Sequence, residues 1–505
     1  MNKQSIYNFA AIIVAALLVF ISICRIDFYT GWIAFTPLFM CIINASSKKC
    51  FRSGLVFGAA FSCFAYYWMI TGAQRFTGYN FLYGTGVMLL CMVFVAFYWG
   101  CLLFCYSLLQ RPLRNVADVL LNSVIMATVF CLFEFLLSFI AEGFPWFGFY
   151  AGSSLIGNLY AIQPAALFGS AVLSFILIVI NYLAAVFILQ KQWLRLSIPI
   201  AIVILYMFCG YWIYSGFNST IDKKHPVKIA LINENILPDI KWDDTNGDAL
   251  VQRLLRLDEE AAAQHPGIIL WSESAVPWTY RKDDDLVNEI LKISGPSNAT
   301  HILGINTAMK DNVVNNSSYC IQPDGNVAGR YDKQSLLSLI EAPLFNINLP
   351  FFSSNGFIVS TNTAHNLPLQ TAYGKAGMLI CNESSGVKAA MFAVNNDAQF
   401  LCNMSNDGWF NNTYIVRNHF YKARLRAVET RKDMAVNSNN GYSGFISANG
   451  VIINQRRDVV PFVMDETVYT NDYKSLAVKY SYLFISACAI FVLAVTVFKF
   501  FTKDN

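Results

Sequence analysis

Long apolar runs constrain this chain more than any other feature. Crossing the hydrocarbon core of a bilayer takes about 20 consecutive apolar residues. Runs near or above that length occur at 6–24, 51–71, 81–109, 116–140, 164–189, 196–214 and 480–498, with a shorter one at 32–44. Only 13% of the residues are charged, against roughly 25% in ordinary globular domains. The deficit is uneven, because residues 218–474 have ordinary globular composition. The expected layout is a transmembrane domain of seven spans over 1–216, a globular domain over 217–478 and a C-terminal membrane anchor over 479–505.

Loop charges orient that layout, since Lys and Arg beside spans collect on the cytoplasmic side. Lys3, Lys48, Lys49, Arg52, Arg111, Arg114, Lys191, Arg195, Lys499 and Lys503 fall on one side with both termini, and only Arg25 and Arg75 on the other. The globular domain is therefore expected outside the cytoplasm. The first span has no small-residue cleavage site after it and reads as an uncleaved anchor. The net charge of +4 is small and follows from the loops, so nucleic-acid binding has no support.

Within the globular segment, strands are expected at 227–232, 267–270 and 301–305, in a pair around Pro323-Asp-Gly-Asn326, and at 375–380 and 399–402. Helices are expected at 247–264, 283–293, 387–396 and 414–431, with short strands around Asn449-Gly450 to finish. Alternating strands and helices predict an α/β layered domain, whose sites lie just past strand ends.

Three chemically able residues fall at such ends. Cys381, in Gly377-Met-Leu-Ile-Cys-Asn-Glu383, is delivered by an apolar strand into a polar turn; Glu273 lies in Leu270-Trp-Ser-Glu-Ser274, and Lys333 in Arg330-Tyr-Asp-Lys-Gln334. Only Cys320, Cys381 and Cys402 of the thirteen cysteines fall in the globular segment, so a disulfide framework is excluded and at least one thiol stays free. A thiol attacks as thiolate and needs a proton acceptor nearby. None of the five histidines, His225, His265, His301, His365 and His419, sits in a convincing catalytic loop, and His419, Arg424 and Glu429 read as helix surface. Glu273 can serve instead as general base, with Lys333 stabilising thiolate and oxyanion, a set suited to acyl transfer through a thioester. Taken singly, each residue also has an ordinary structural reading: core thiol, turn cap, solvated lysine. No CxxC pair or HExxH motif occurs, so neither metal nor cofactor is expected.

The wording of these segments resembles the carbon-nitrogen hydrolase (nitrilase) superfamily, and more specifically its membrane-embedded apolipoprotein N-acyltransferase family. The resemblance rests on Trp242 in Lys-Trp-Asp, Glu273 in Trp-Ser-Glu-Ser, Lys333 with Glu341 eight residues on, Cys381 with Glu383, and Ser405-Asn-Asp-Gly-Trp-Phe410. Arg424, Ala427, Glu429 and Asn439-Asn-Gly441 add to it, as do Trp68, Glu134 and Gly143-Phe-Pro-Trp-Phe147 in the membrane half. It departs at Asn382, where an aromatic residue is usual, at Gly408 in place of Ala, and in the wording before Glu341.

The resemblance implies an αββα sandwich on about eight spans and a Glu273, Lys333, Cys381 triad, with Glu341 and Glu383 as orienting residues. It also implies a membrane phospholipid as acyl donor and a diacylated apolipoprotein as acceptor. Trp242, Trp146, Phe144, Trp409, Phe410 and Asn382 are candidates for a substrate entrance, with Phe76 on another outward loop. The expected setting is a monomer in a bacterial inner membrane, termini cytoplasmic and catalytic domain periplasmic. Two other readings stay open: a membrane-tethered nitrilase-type amidase, and a non-catalytic receptor or transporter.

Overall fold

The computed structural model describes residues 3–72, 81–220, 224–238, 240, 242–310, 313–338, 340–342, 358–410 and 412–501. Arg75, Phe76 and Lys503 lie outside the described residues. The chain divides into two compact units, one of residues 1–141, 146–215 and 480–505, the other of residues 142–145 and 216–479.

In the first unit, six described helices are long and apolar enough to cross a membrane: Gln4–Cys24, Phe81–Leu109, Val116–Ile140, Ala171–Leu189, Trp193–Ser219 and Leu483–Phe501. The run expected at 51–71 forms the helix Ser47–Ala65, whose first turns carry Lys48, Lys49 and Arg52. Its Gly54 and Gly58 lie directly on the backbone of Phe81–Leu109: a methyl on Gly54 would stand 2.3 Å from the Trp99 carbonyl oxygen, and one on Gly58 2.6 Å from Ala96 Cα. Small residues four apart permit such close packing, which supplies van der Waals contact where lipid offers no hydrophobic drive. In the shorter run at 32–44 only Thr36–Ile42 is α-helical, and a break separates it from the short helix Phe28–Gly31 before the run. Asn181 holds that break, accepting from the N–H groups of Phe35 and Thr36 at 2.9 and 3.1 Å and donating to Gly31 O at 3.0 Å. Glu134 likewise satisfies backbone at membrane depth, accepting the Ala151 N–H at 2.7 Å where a short helical segment begins.

The second unit is an αββα sandwich. Among the described residues its first sheet has nine strands: β1 Pro226–Asn233, β2 Ile268–Leu270, β3 Val276–Thr279, β4 Thr300–Ala308, β5 Val313–Asn315, β6 Ser317–Ile321, β7 Val327–Asp332, β8 Ile358–Val359 and, at the far end of the chain, Phe462–Tyr469. The second has six: β9 Leu369–Thr371, β10 Gly374–Ile380, β11 Phe400–Asn406, β12 Met434–Asn439, β13 Ser443–Ile446 and β14 Ile452–Arg456, which makes Phe462–Tyr469 β15. β1, β2 and β4 run parallel, as do β10, β11 and β12. An apolar layer from both sheets fills the space between them, including Ile229, Leu270 and Ile302 from one and Met378, Phe400 and Met404 from the other. The helices α1 Gly247–Ala262 and α2 Asp285–Ser294 cover the first sheet, with Leu254, Leu257 and Ile290 in that layer. The helices α3 Lys388–Asn395 and α4 Tyr414–Thr430 cover the second through Val394, Phe420, Ala423 and Ala427.

Six strands of this sandwich were not expected from sequence: the short β3, β5, β8 and β9, and the longer β12 and β15. β15 pairs antiparallel with the whole of β1, Pro226 opposite Tyr469 through Asn233 opposite Phe462; its Asp465-Glu466-Thr467 centre hides the alternation. β12 is disguised by Asn437, Ser438 and Asn439. These polar residues are buried because they staple the sheets. Asn437 Nδ2 donates to the carbonyls of Ile232 at 2.7 Å and Leu270 at 3.0 Å, and Asn233 Nδ2 to that of Ser438 at 2.7 Å.

Candidate active site

Glu273 and Lys333 come from the first sheet and Cys381 from the second, all three just beyond strand ends. Trp271, fully buried after β2, donates to His301 Nδ1 at 3.1 Å. Ser272 then bonds the Glu234 carboxylate through its hydroxyl at 2.6 Å, leaving Glu273 aimed inward. This turn lies directly on β4 because residue 304 is glycine: a methyl there would stand 2.1 Å from the Ser272 carbonyl oxygen.

The Glu273 carboxylate is almost fully enclosed. Its Oε1 accepts from Lys333 Nζ at 3.1 Å and Asn316 Nδ2 at 2.8 Å, and its Oε2 from the Asn406 N–H at 3.0 Å. Lys333, 1% exposed, also donates to Glu341 Oε1 at 2.8 Å. Burial works against the ammonium charge, but Glu273 and Glu341 outweigh it and hold the lysine protonated well above its ordinary range. Glu341 is itself fixed by the Leu337 N–H at 2.8 Å.

Cys381 ends β10 with φ of +53°, a left-handed conformation rare for residues other than glycine, Asn and Asp and often found where a side chain is presented for chemistry. Burial is the main cause that pushes its thiol well above the ordinary range; the Glu273 charge adds to this and Lys333 opposes it. The resting group is therefore a neutral thiol, and attack requires an acceptor for its proton.

Glu383 does not bond Lys333. Its Oε1 accepts the Gln334 and Ser335 N–H groups at 2.7 and 3.1 Å, and its Oε2 the Ile380 N–H at 2.7 Å and the Tyr331 hydroxyl at 2.9 Å. One carboxylate thus ties the loop after Lys333 to the strand before Cys381. Asn382 is buried, and its Oδ1 has no hydrogen-bond partner among the described residues.

The aromatic candidates have varied settings. Trp242 is half-buried edge-on against Trp278, with ring centroids 5.6 Å apart, in the layer beneath α1 and α2. Phe410 is buried and Trp409 half-buried on the turn after β11, and Phe144 is half-buried in the loop 142–145. Trp146, in the first unit, meets Trp68 edge-on with centroids 6.3 Å apart.

Sequence reasoning missed Asn316, which bridges Glu273 and Glu341 from the turn between β5 and β6, at 2.8 and 3.4 Å. It also placed His419, Arg424 and Glu429 on a helix surface, whereas all three are buried. Their helix is covered on most sides. The spacing of Val416, Phe420, Ala423 and Ala427 marks an apolar face that includes position 419.

A layered sandwich with a buried carboxylate, ammonium and thiol at its strand ends is the architecture of a carbon-nitrogen hydrolase, and the family model described as carbon-nitrogen hydrolase matches residues 228–459. The model of the apolipoprotein N-acyltransferase N-terminal domain matches residues 15–183. An apolipoprotein N-acyltransferase of Geobacter metallireducens is 26% identical over 94% of this chain and 91% of its own length. One from Haemophilus ducreyi is 27% identical over 73% and 72%. Among solved structures, a carbon-nitrogen hydrolase from Helicobacter pylori is 14% identical, covering 52% of this chain and 95% of its own, with a TM-score of 0.37. The two family models thus match the two halves of the chain in turn, and the full-length relatives it resembles are apolipoprotein N-acyltransferases.

Proposed function

We propose that the chain transfers a fatty acyl group from a membrane phospholipid, through a thioester on Cys381, to the α-amine of the diacylglyceryl-cysteine that begins a bacterial lipoprotein. The observation that carries this reading is the enclosed cluster of Glu273, Lys333, Glu341 and Asn316, electrostatically coupled to a thiol on a left-handed turn.

As Cys381 Sγ bonds to the ester carbonyl carbon, Glu273 takes the thiol proton and the carbonyl π pair moves onto oxygen. Lys333 stabilises that oxyanion, a term usually large in acyl transfer. The carbonyl then re-forms, the C–O bond breaks, and the leaving oxygen takes the proton from Glu273, releasing lysophospholipid. In the second half the lipoprotein amine attacks the thioester, Glu273 accepts the amine proton, and the thiolate leaves and recovers it. Glu341 keeps Lys333 in place, while Glu383 holds the loop and strand that carry Lys333 and Cys381.

Residues 1–216 and 479–505 serve as the membrane part in this reading, which keeps both lipid substrates out of water, and residues 217–478 as the catalytic domain. Trp242, Phe144, Trp409, Phe410 and Asn382 in the one unit, and Trp146 in the other, are each candidates for contact with substrate on its way in. The loop charges support a periplasmic catalytic domain, cytoplasmic termini and an inner-membrane location, and the enzyme acts as a monomer.

The test is intact-mass analysis of the purified protein after incubation with phospholipid. An acyl adduct should map to Cys381 and disappear on adding a diacylated lipopeptide, with N-acylated lipopeptide appearing. Product without any adduct would overturn the two-step route. Release of free fatty acid with no lipopeptide product would favour a hydrolase.

A further inference from the structure

His419 reaches the nucleophile from behind. Its Nε2 lies 2.7 Å from the carbonyl oxygen of Cys381, and its Nδ1 lies 2.8 Å from Asp407 Oδ1. Both partners accept, and a neutral imidazole has one N–H, so making both bonds takes the doubly protonated ring. Burial disfavours that charge, but Asp407 outweighs it and holds the histidine above its ordinary range. The charged or titratable groups facing the ring are Asp407, Cys381 and Glu273.

The peptide between Cys381 and Asn382 is trans, so its C=O and N–H point in opposite directions. A cation bonded to the carbonyl fixes the direction of the Asn382 N–H and polarises it as a donor. Ser384 Oγ adds a second bond to the same carbonyl at 3.1 Å.

We propose that His419, held by Asp407, is a positioning residue for acyl transfer: it anchors the peptide group behind Cys381 so that the Asn382 N–H meets the oxyanion formed on thiol attack. The proposal rests on the acyl-enzyme reading above and adds two residues to it. Neither touches substrate.

The test uses the full-length protein in lipid-detergent micelles, with His419→Gln and Asp407→Asn variants of confirmed folding. Two reagents label Cys381, each followed by peptide mass mapping: a phospholipid with a labelled acyl chain, and iodoacetamide. Acylation passes through an oxyanion, whereas displacement on iodoacetamide does not. His419→Gln keeps an N–H for the carbonyl without the charge. Its acylation at saturating phospholipid should fall by about tenfold or more, less than the roughly 10²–10³ that outright removal of an oxyanion donor costs, with KM and alkylation near parental values.

In Asp407→Asn the ring loses the carboxylate that outweighs burial, and it titrates below the ordinary histidine value of about 6.5, so acylation should be slow at neutral pH and recover only as pH falls below that value. The parent should show no such dependence. Parental acylation in His419→Gln, equal slowing of acylation and alkylation, or an Asp407→Asn pH profile parallel to the parent's would each overturn the proposal. If the parent itself is alkylated at Cys381 but takes no acyl group, the acyl-enzyme reading fails and this proposal with it.

Discussion

Replacing Lys333 by Met tests the buried cluster most directly. The side chains are similar in length, so the change removes a charge more than a volume. Lys333 is 1% exposed and its Nζ lies 3.1 and 2.8 Å from oxygens of Glu273 and Glu341. Without it, the two carboxylates share only Asn316, at 2.8 and 3.4 Å. Removing one partner of a buried ion pair costs about 3–5 kcal/mol, here with two anions left facing one another. Loss of a preorganised oxyanion contact adds a separate kinetic cost of about 10²–10³ in rate. Lys333→Met should therefore unfold at markedly lower denaturant or temperature and acylate Cys381 at least about a hundredfold more slowly. The double variant Lys333→Met/Glu341→Gln relieves the repulsion, so it should regain part of the stability and none of the rate. Melting in lipid-detergent micelles and single-turnover transfer of a labelled acyl chain measure the two effects separately. Acylation by Lys333→Met within about threefold of the parent would refute the electrostatic reasoning, whatever its stability.

Cys381→Ala should abolish the acyl adduct and lipopeptide product while leaving the melting midpoint close to the parent's, checked by mass analysis and melting on one preparation. Asn437→Ala should destabilise the catalytic unit by about 2–4 kcal/mol, because it strands the buried Ile232 and Leu270 carbonyls; denaturant titration measures this. Burial pushes the Glu234 carboxyl up to about 7, so folding favours its protonated form. Its contribution is fully present below about pH 4.3, the unfolded value, and is lost as pH rises through about 7. Glu234→Gln should accordingly lose less stability than the parent between pH 5 and pH 9, read from melting against pH, and an unchanged difference would refute the assignment.

The sequence by itself determined the partition between membrane and globular segments, the strand and helix alternation, and the positions of Glu273, Lys333 and Cys381 at strand ends. Hydropathy and side-chain period are local properties, and each of these features spans a few dozen residues at most. The apolar run at 51–71 was legible as membrane helix, but not the contact at Gly54 and Gly58 with another helix that holds it. Glu341 and Glu383 could be named beside the triad, yet their division of labour could not. Glu341 meets Lys333, whereas Glu383 joins the backbone of Ile380 beside it to that of Gln334, 49 residues before it.

Only the tertiary structure decided which polar residues are buried and against what. Asn406 presents its N–H to Glu273 across 133 positions of chain, Asn437 staples the sheets across 205, and His419 reaches the Cys381 carbonyl across 38. Polar residues are placed inside by the unpaired groups that other segments bring there, since each buried donor or acceptor left unmet is costly. That demand is set when the two sheets close, and no window of sequence contains both sides of it.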